Sequence, residues 1–270
     1  MLLNFKNGEF LFKNGKFKRK FWTPLEIETY IWHNSTRLDS IYTAQANSAD
    51  ISMWKDVSTY KSSHLVQSTA SSQPVFNKYQ LNGLPVMSFL NDTTYLEAED
   101  ISIPSNEFYY AIVTMPLYAV NENYRCSVAS LDGDDIYWRF ISRHNEYYNW
   151  SGGFDVDGPV TDKVYAYNLN NKINQWHIYG FQSTTTESSS HLDGTTTDTG
   201  GGITDWETSD LDYHLGVYKR SGTLRFENCH IAEAVMCEVG YREYVEGYLA
   251  WKWGLDDLLP STHPYKYNAP

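Results

Sequence analysis

Tyr147-Tyr148-Asn149-Trp150 is the densest run of side chains in this sequence that could hold a ligand, and Asp155 and Asp157 follow closely. Flat aromatic faces stack on the C–H surface of a pyranose ring while amide and carboxylate oxygens bond its hydroxyls, so the run points to saccharide binding. The same aromatics fit a core in which only their polar tips are wet. Asp132, Asp134 and Asp135 form a second acidic set around Gly133. Carboxylates on a tight turn suit a hard cation, so calcium is the one cofactor on offer, with Asp155 and Asp157 as a further oxygen pair. Neither set has EF-hand spacing, and a solvated hairpin turn explains the same acids.

Other chemistries lack their residues. The eight histidines, His33, His64, His144 and His177 among them, include no H-x-H or H-E-x-x-H spacing, so a transition-metal site is unsupported. Cys126, Cys229 and Cys237 are odd in number and match neither a zinc nor a redox spacing; buried thiols in a reducing cytoplasm fit them. No phosphate-binding loop or nucleophile elbow is present.

Charge divides the chain. Residues 1–20 carry six basic side chains against Glu9, a net of +5, which leaves −17 on the other 250 residues of a chain whose total is −12. An acidic body repels duplex phosphates and argues against nucleic acid as its partner. The basic stretch also holds a repeat, Phe5-Lys-Asn-Gly-Glu-Phe10 followed by Phe12-Lys-Asn-Gly-Lys-Phe17. Asn-Gly between apolar residues is a strong hairpin signal, so two turns and a three-stranded meander are expected. Strands this short are marginal alone. Phe5, Phe10, Phe12, Lys13, Phe17, Lys18, Arg19 and Lys20 are therefore the candidate docking residues for a partner surface; the alternative is a hairpin that covers an edge of the main domain.

A chain of 270 residues, 41% apolar and 16% aromatic, can bury a full core as one large domain. No apolar run approaches the roughly 20 residues that a bilayer span needs, so membrane insertion is not expected. The N-terminus lacks the apolar stretch of a secretory signal. Strand-like runs recur at Thr29–Trp32, Val86–Phe89, Phe108–Met115, Ile136–Ser142, Val164–Tyr167, Trp176–Gln182, His214–Tyr218 and His230–Met236. Asp-Gly pairs at 132, 157 and 193 fit tight turns, and the pattern suggests a sandwich or barrel. The polar stretch 183–202 reads either as a hairpin around Asp193-Gly194 or as an exposed loop. Tyr241, Tyr244, Val245, Tyr248 and Leu249 have helical spacing, with Glu238 and Glu243 early, Lys252 late and Gly254 as a stop.

The ending Val245-Glu-Gly-Tyr-Leu-Ala-Trp-Lys-Trp-Gly-Leu255, continuing through Leu259-Pro260 to His263-Pro-Tyr-Lys266, resembles that of concanavalin A-like (LamG-type) jelly-roll domains of bacteriophage structural proteins and some bacterial surface proteins. Trp54-Lys-Asp56 with Ser58, Gln67, Gln73-Pro74, Asn82-Gly83-Leu84-Pro85-Val86, Phe89, Phe226 and Ile231-Ala232-Glu233 agree with it. The match runs over about 24–270; Trp32-His-Asn-Ser35, where relatives often have Leu-Asp-Ala after the Trp, and the 183–202 segment depart from it.

The resemblance implies an all-β, two-sheet antiparallel jelly-roll sandwich over residues 23–270 with a short C-terminal helix, preceded by the β-meander arm at 1–22. It also implies an accessory structural protein of a phage virion, a capsid decoration, head fibre or tail component, in many copies or as a homo-oligomer. Such a protein is assembled in the host cytoplasm, docks on other virion proteins through the arm and displays a lectin-like domain. A host-glycan-binding adhesin and, below it, a glycan depolymerase are the alternatives. Retaining laminarinase-like glycosidases of this fold place their carboxylates in Glu-x-Asp-x-x-Glu on one strand face, a string absent here, so an enzyme is not expected.

Overall fold

The computed structural model describes residues 4–6, 9–11, 22–43, 49–91, 93–117, 125–132, 137–144, 150–157, 162–168, 172, 174–204, 207–220, 223–226 and 228–270; within 4–11, 125–128 and 137–168, and at a few single positions, it describes the backbone alone. Two large antiparallel sheets face each other. One runs Thr195–Gly201, Glu187–Leu192, His177–Ser183, Phe108–Pro116, Cys229–Cys237, Leu84–Phe89, Val75–Leu81. Its central Cys229–Cys237 strand shares its far edge between two partners, Leu84–Phe89 at Cys229–Ile231 and Thr29–Asn34 at Glu233–Cys237. The other runs Asp162–Asn168, Trp150–Asp157, Tyr137–His144, Arg125–Asp132, Leu211–Leu215, Leu96–Ile101, Leu65–Val66, Ile51–Trp54, Ile41–Thr43. The chain is thus the expected all-β jelly-roll sandwich with one short C-terminal helix among the described residues. No described helix is long and apolar enough to cross a membrane.

Phe108–Pro116 explains why Tyr109–Val113 is a continuous apolar run and not an alternating one. Phe108, Tyr110 and Ile112 face the space between the sheets, with Phe89, Tyr179, Phe181 and Tyr213. Tyr109, Ala111 and Val113 face the opposite way and are covered by Val245, Leu249 and Trp253 of the helix Arg242–Trp253. A strand buried on both faces needs apolar residues at every position.

A β-bulge directs one charge into that second layer. Against Phe108–Pro116 the register of Cys229–Cys237 shifts so that Val113 pairs Glu233 and Thr114 pairs Ile231, leaving Ala232 as the extra residue. Bulges re-aim side chains. Ala232 and Glu233 consequently both lie under the helix. Glu233, fully buried, accepts hydrogen bonds at Oε1 from the Trp32 indole (2.7 Å) and the Tyr248 hydroxyl (3.0 Å). Its Oε2 accepts from Lys252 Nζ (2.5 Å) and the Trp253 indole (2.8 Å). Lys252 completes its three donors on Asn34 Oδ1 (2.9 Å) and Tyr248 Oη (3.1 Å). Burial pushes the Lys252 ammonium below its ordinary value, and Glu233 offsets only part of that.

The second carboxylate of the helix, Glu246, is also fully buried and accepts from Tyr109 Oη (2.8 Å), Arg242 Nη1 (3.1 and 3.2 Å) and His263 Nε2 (3.2 Å). Burial alone would raise its carboxyl; His263, Arg242, His191 and Tyr109 outweigh that and hold it below the usual range. Gly247 lets the tail pack, because a Cβ there would meet Tyr265 Cβ at 2.7 Å and its ring at 2.8 Å, and the Trp251 indole then donates to the Tyr265 carbonyl (2.7 Å). The recognised ending is therefore the inner face of one polar network plus its lid.

Several expectations are revised. Lys252, read as a dipole complement at the helix end, is the buried partner of Glu233. Tyr241 precedes the helix in a 3-10 turn and Tyr244 is 40% exposed, packing on Trp22 and Tyr265, so the buried face begins at Val245. The 183–202 segment is a hairpin turning at Asp193-Gly194, both with positive φ. The His214–Tyr218 run breaks at Gly216 (φ 80°), where a Cβ would strike the Phe89 ring at 2.4 Å. Cys229 and Cys237 are buried free thiols. The arm shows its first hairpin, Asn4–Lys6 with Glu9–Leu11, Phe5 opposite Phe10; its second Asn-Gly turn lies outside the described residues.

Two predictions follow from the buried charges. Lys252→Met leaves Glu233 an uncompensated buried anion and should lower stability by about 3–5 kcal/mol in urea titration. Asp39→Asn, which breaks an exposed ion pair with Arg37, should cost under about 1 kcal/mol; equal losses would contradict the network's role. His33 and His191 are held near pKa 4, down from 6.5, chiefly by burial. Between those values the unfolded chain binds protons that the fold does not, so their stabilisation is complete above about pH 6.5 and lost as pH falls toward 4. The urea midpoint should drop between pH 7 and 4.5, with a smaller drop in His191→Gln; a midpoint that stays level or rises on acidification would refute this.

Candidate functional site

Segments 24–29, 37–40 and 55–64 enclose a cleft of about 490 Å³. Leu25, Ile27 and Val57 give it an apolar strip, and Arg37, Lys55, Lys61 and His64 bring donors to it. The loop 55–63 is tied down by Asp56, which is 2% exposed. Asp56 Oδ1 accepts from the backbone N–H groups of Trp32 (3.0 Å) and Ser58 (2.8 Å). Its Oδ2 accepts from the Ser58 and Ser63 hydroxyls (both 2.9 Å) and the Ser63 N–H (3.2 Å). Trp32 thereby joins two buried carboxylates, Glu233 through its indole and Asp56 through its backbone.

That knot fixes the donors. Ser58 Oγ accepts the Lys61 N–H (3.0 Å) and holds Lys61 at φ 54°, a left-handed conformation unusual for a non-glycine residue. Its exposed ammonium has no partner among the described residues. His64 Nδ1 accepts the Asp56 N–H (3.2 Å), so in the neutral ring the proton sits on Nε2. Arg37 donates from Nε and Nη2 to both oxygens of Asp39 (3.1 Å each), and those bonds hold the Asp39 carboxyl below its usual range. Lys55 Nζ donates to Tyr42 Oη (2.6 Å) and lies over that ring.

The acids singled out in the sequence fall elsewhere. Val66, Glu97, His214, Ser130, Arg139, Asp155 and Val164 are successive register partners across the nine-stranded sheet. Asp212, Asp132, Tyr137, Asp157 and Asp162 form another row. Asp132 and Asp155, two separate candidates in the sequence, thus lie two rows apart in one sheet. Trp150 opens its strand opposite His144; Tyr147, Tyr148, Asn149, Asp134 and Asp135 lie outside the described residues, as do Phe12, Lys13, Phe17, Lys18, Arg19 and Lys20. Among the described residues no three His, Cys, Asp or Glu side chains gather as metal ligands.

Ser130, His214 and Asp132 invite comparison with a hydrolytic triad, and the geometry argues against it. Ser130 Oγ (3.4 Å) and Asp132 Oδ2 (3.2 Å) both address His214 Nδ1, while Nε2 faces Glu97 at 3.7 Å. A relay needs nucleophile and acid on opposite ring nitrogens, and Ser130 is fully buried. Sequence reasoning missed the cleft because its cations are scattered singly over residues 37–64. The one signal was Trp54-Lys-Asp56 with Ser58, which carried the family resemblance and proves to be the loop knot.

No protein-family model matches the sequence, and no curated protein matches it. Among solved structures the chain is similar to domain 4 of AbnA, a GH43 extracellular arabinanase from Geobacillus stearothermophilus, in complex with arabinotriose. The TM-score is 0.50 at 10% identity, covering 78% of this chain and 92% of that one. The botulinum neurotoxin serotype D binding domain gives a TM-score of 0.52 at 8% identity, covering 77% of this chain and 47% of that one. A structure on cell entry of botulinum neurotoxin type C, described as dependent upon interaction with two ganglioside molecules, gives 0.50 at 10% identity, with 77% and 47% covered. Likeness at such identities speaks to fold alone, and the fold they share with this chain is the lectin-type jelly-roll sandwich.

Proposed function

We propose that this chain is a non-catalytic, lectin-like module that holds a saccharide in the 24–64 cleft. The observation that carries the reading is the cleft itself: polar donors beside an apolar strip, on loops made rigid by Asp56, a combination suited to a sugar's hydroxyls and C–H face. A volume of about 490 Å³ is ample for one or two rings. The arabinotriose complex of AbnA domain 4 gives the same fold a saccharide-binding precedent. The module works without hydrolysis in this reading, which the absence of the Glu-x-Asp-x-x-Glu string of the fold's retaining glycosidases supports. Calcium at the Asp132, Asp134, Asp135 turn would be a structural ion.

A second layer of the proposal concerns where the module is carried. The basic arm, whose first hairpin pairs Phe5 with Phe10, and the family resemblance of the ending support an accessory protein of a phage particle, docked through residues 1–20. Short, aromatic strands suit addition to another chain's sheet.

On a glycan array the full chain should show saturable binding and release no reducing ends. Absence of all binding would contradict the module's role, release of reducing ends would make it a depolymerase, and loss of binding in Trp150→Ala would move the site to the aromatic run. Removing residues 1–20 should leave a folded body that no longer co-sediments with particles; undiminished incorporation would contradict the arm's role.

A further inference from the structure

We infer that the cleft selects acidic saccharides, taking the carboxylate of a uronic- or sialic-type sugar against Lys61, Lys55 and His64. The inference rests on the saccharide-binding reading of the same cleft and adds the class of sugar.

The charge balance of the lining carries it. Among the described residues two carboxylates line the cleft, Asp39 and Asp56. Asp56 is buried and its oxygens take five hydrogen bonds, so it is closed to a ligand. Asp39 is neutralised by the forked Arg37 pair. Among the described lining residues Arg37, Lys55 and Lys61 stand against Asp39 and Asp56, a net of +1, and the donors left over are Lys55, Lys61 and the Nε2–H of His64. Residues 21–270 carry −17 overall, so a locally cationic cleft stands against the charge of the rest of the body. A carboxylate needs only donors and gains from the positive lining, a gain that a neutral sugar does not share.

Lys61 adds a second, independent observation. Its backbone is held at φ 54° by Ser58, and its ammonium has no partner among the described residues. Left-handed conformations of non-glycine residues are strained and persist where the surroundings impose them, often at binding sites. The conformation is built by the same Asp56 knot that shapes the cleft, so the cation is pre-positioned before any ligand arrives.

The test is calorimetry on the full chain with sialyllactose and a tri-galacturonate, lactose and a neutral trisaccharide as counterparts, and acetate and sulfate as free oxyanions. Lys61→Asn removes the charge with a residue at ease at positive φ; Lys61→Glu reverses it at an exposed position. At least one acidic saccharide should bind tenfold or more tighter than its neutral counterpart, with that preference lost in Lys61→Asn and binding reduced at least tenfold in Lys61→Glu, thermal melts staying unchanged. Equal binding of neutral and acidic sugars, or a preference that survives both substitutions, would overturn the inference while leaving saccharide binding intact. Acetate or sulfate bound as tightly as any saccharide would reduce the cleft to a simple oxyanion site. No binding by a folded chain would sink both readings.

Discussion

A buried carboxylate with every lone pair engaged, Glu233, is the constraint on which the rest of this molecule depends. Desolvating a carboxylate and an ammonium costs several kcal/mol each, and only close pairing with full hydrogen bonding offsets it. Here the offset comes from five side chains on two elements: Trp32 and Asn34 from one strand, and Tyr248, Lys252 and Trp253 from the helix. Such a network stabilises weakly compared with an apolar core, but it tolerates one arrangement. The helix cannot rotate or slide without stranding a charge, and the bulge at Ala232 cannot be removed without turning Glu233 between the sheets.

The constraint extends to the cleft through Trp32. Its indole is fixed on Glu233, its backbone N–H on Asp56, and its carbonyl accepts the Val57 N–H at 2.9 Å. Loop 55–63 is thus attached to the most rigidly specified strand of the sandwich at both edges of one residue. Lys61 and His64 inherit their positions from that attachment. A loop placed this way loses little conformational entropy if a ligand binds, which suits the proposed saccharide site.

Much of the sandwich was legible because its central strands are apolar on both faces, and the helix because Val245, Tyr248 and Leu249 keep their period. Strands such as Glu187–Leu192 were not. Ser188, Ser189, Ser190 and His191 are all buried, Ser189 bonding His191 at 2.9 Å and Ser190 bonding Thr197 at 2.8 Å, so no hydrophobic period marks them. The candidate site was legible only in part. Asp132 and Asp155 belong to one sheet because of a register no local pattern encodes, and the cations of the cleft converge only once Asp56 has bonded Trp32. The ending was recognisable because Glu246, Gly247, Tyr248, Trp251, Lys252 and Trp253 each answer to a separate contact and so resist substitution.

The most direct test of the cleft as the binding site is a titration of the ¹⁵N-labelled chain with sialyllactose, followed by backbone amide shifts. The amides of residues 55–64 and of 25–29 and 37–40 should move together and saturate at one dissociation constant. Shifts confined to residues 147–157, with 55–64 unmoved, would contradict it.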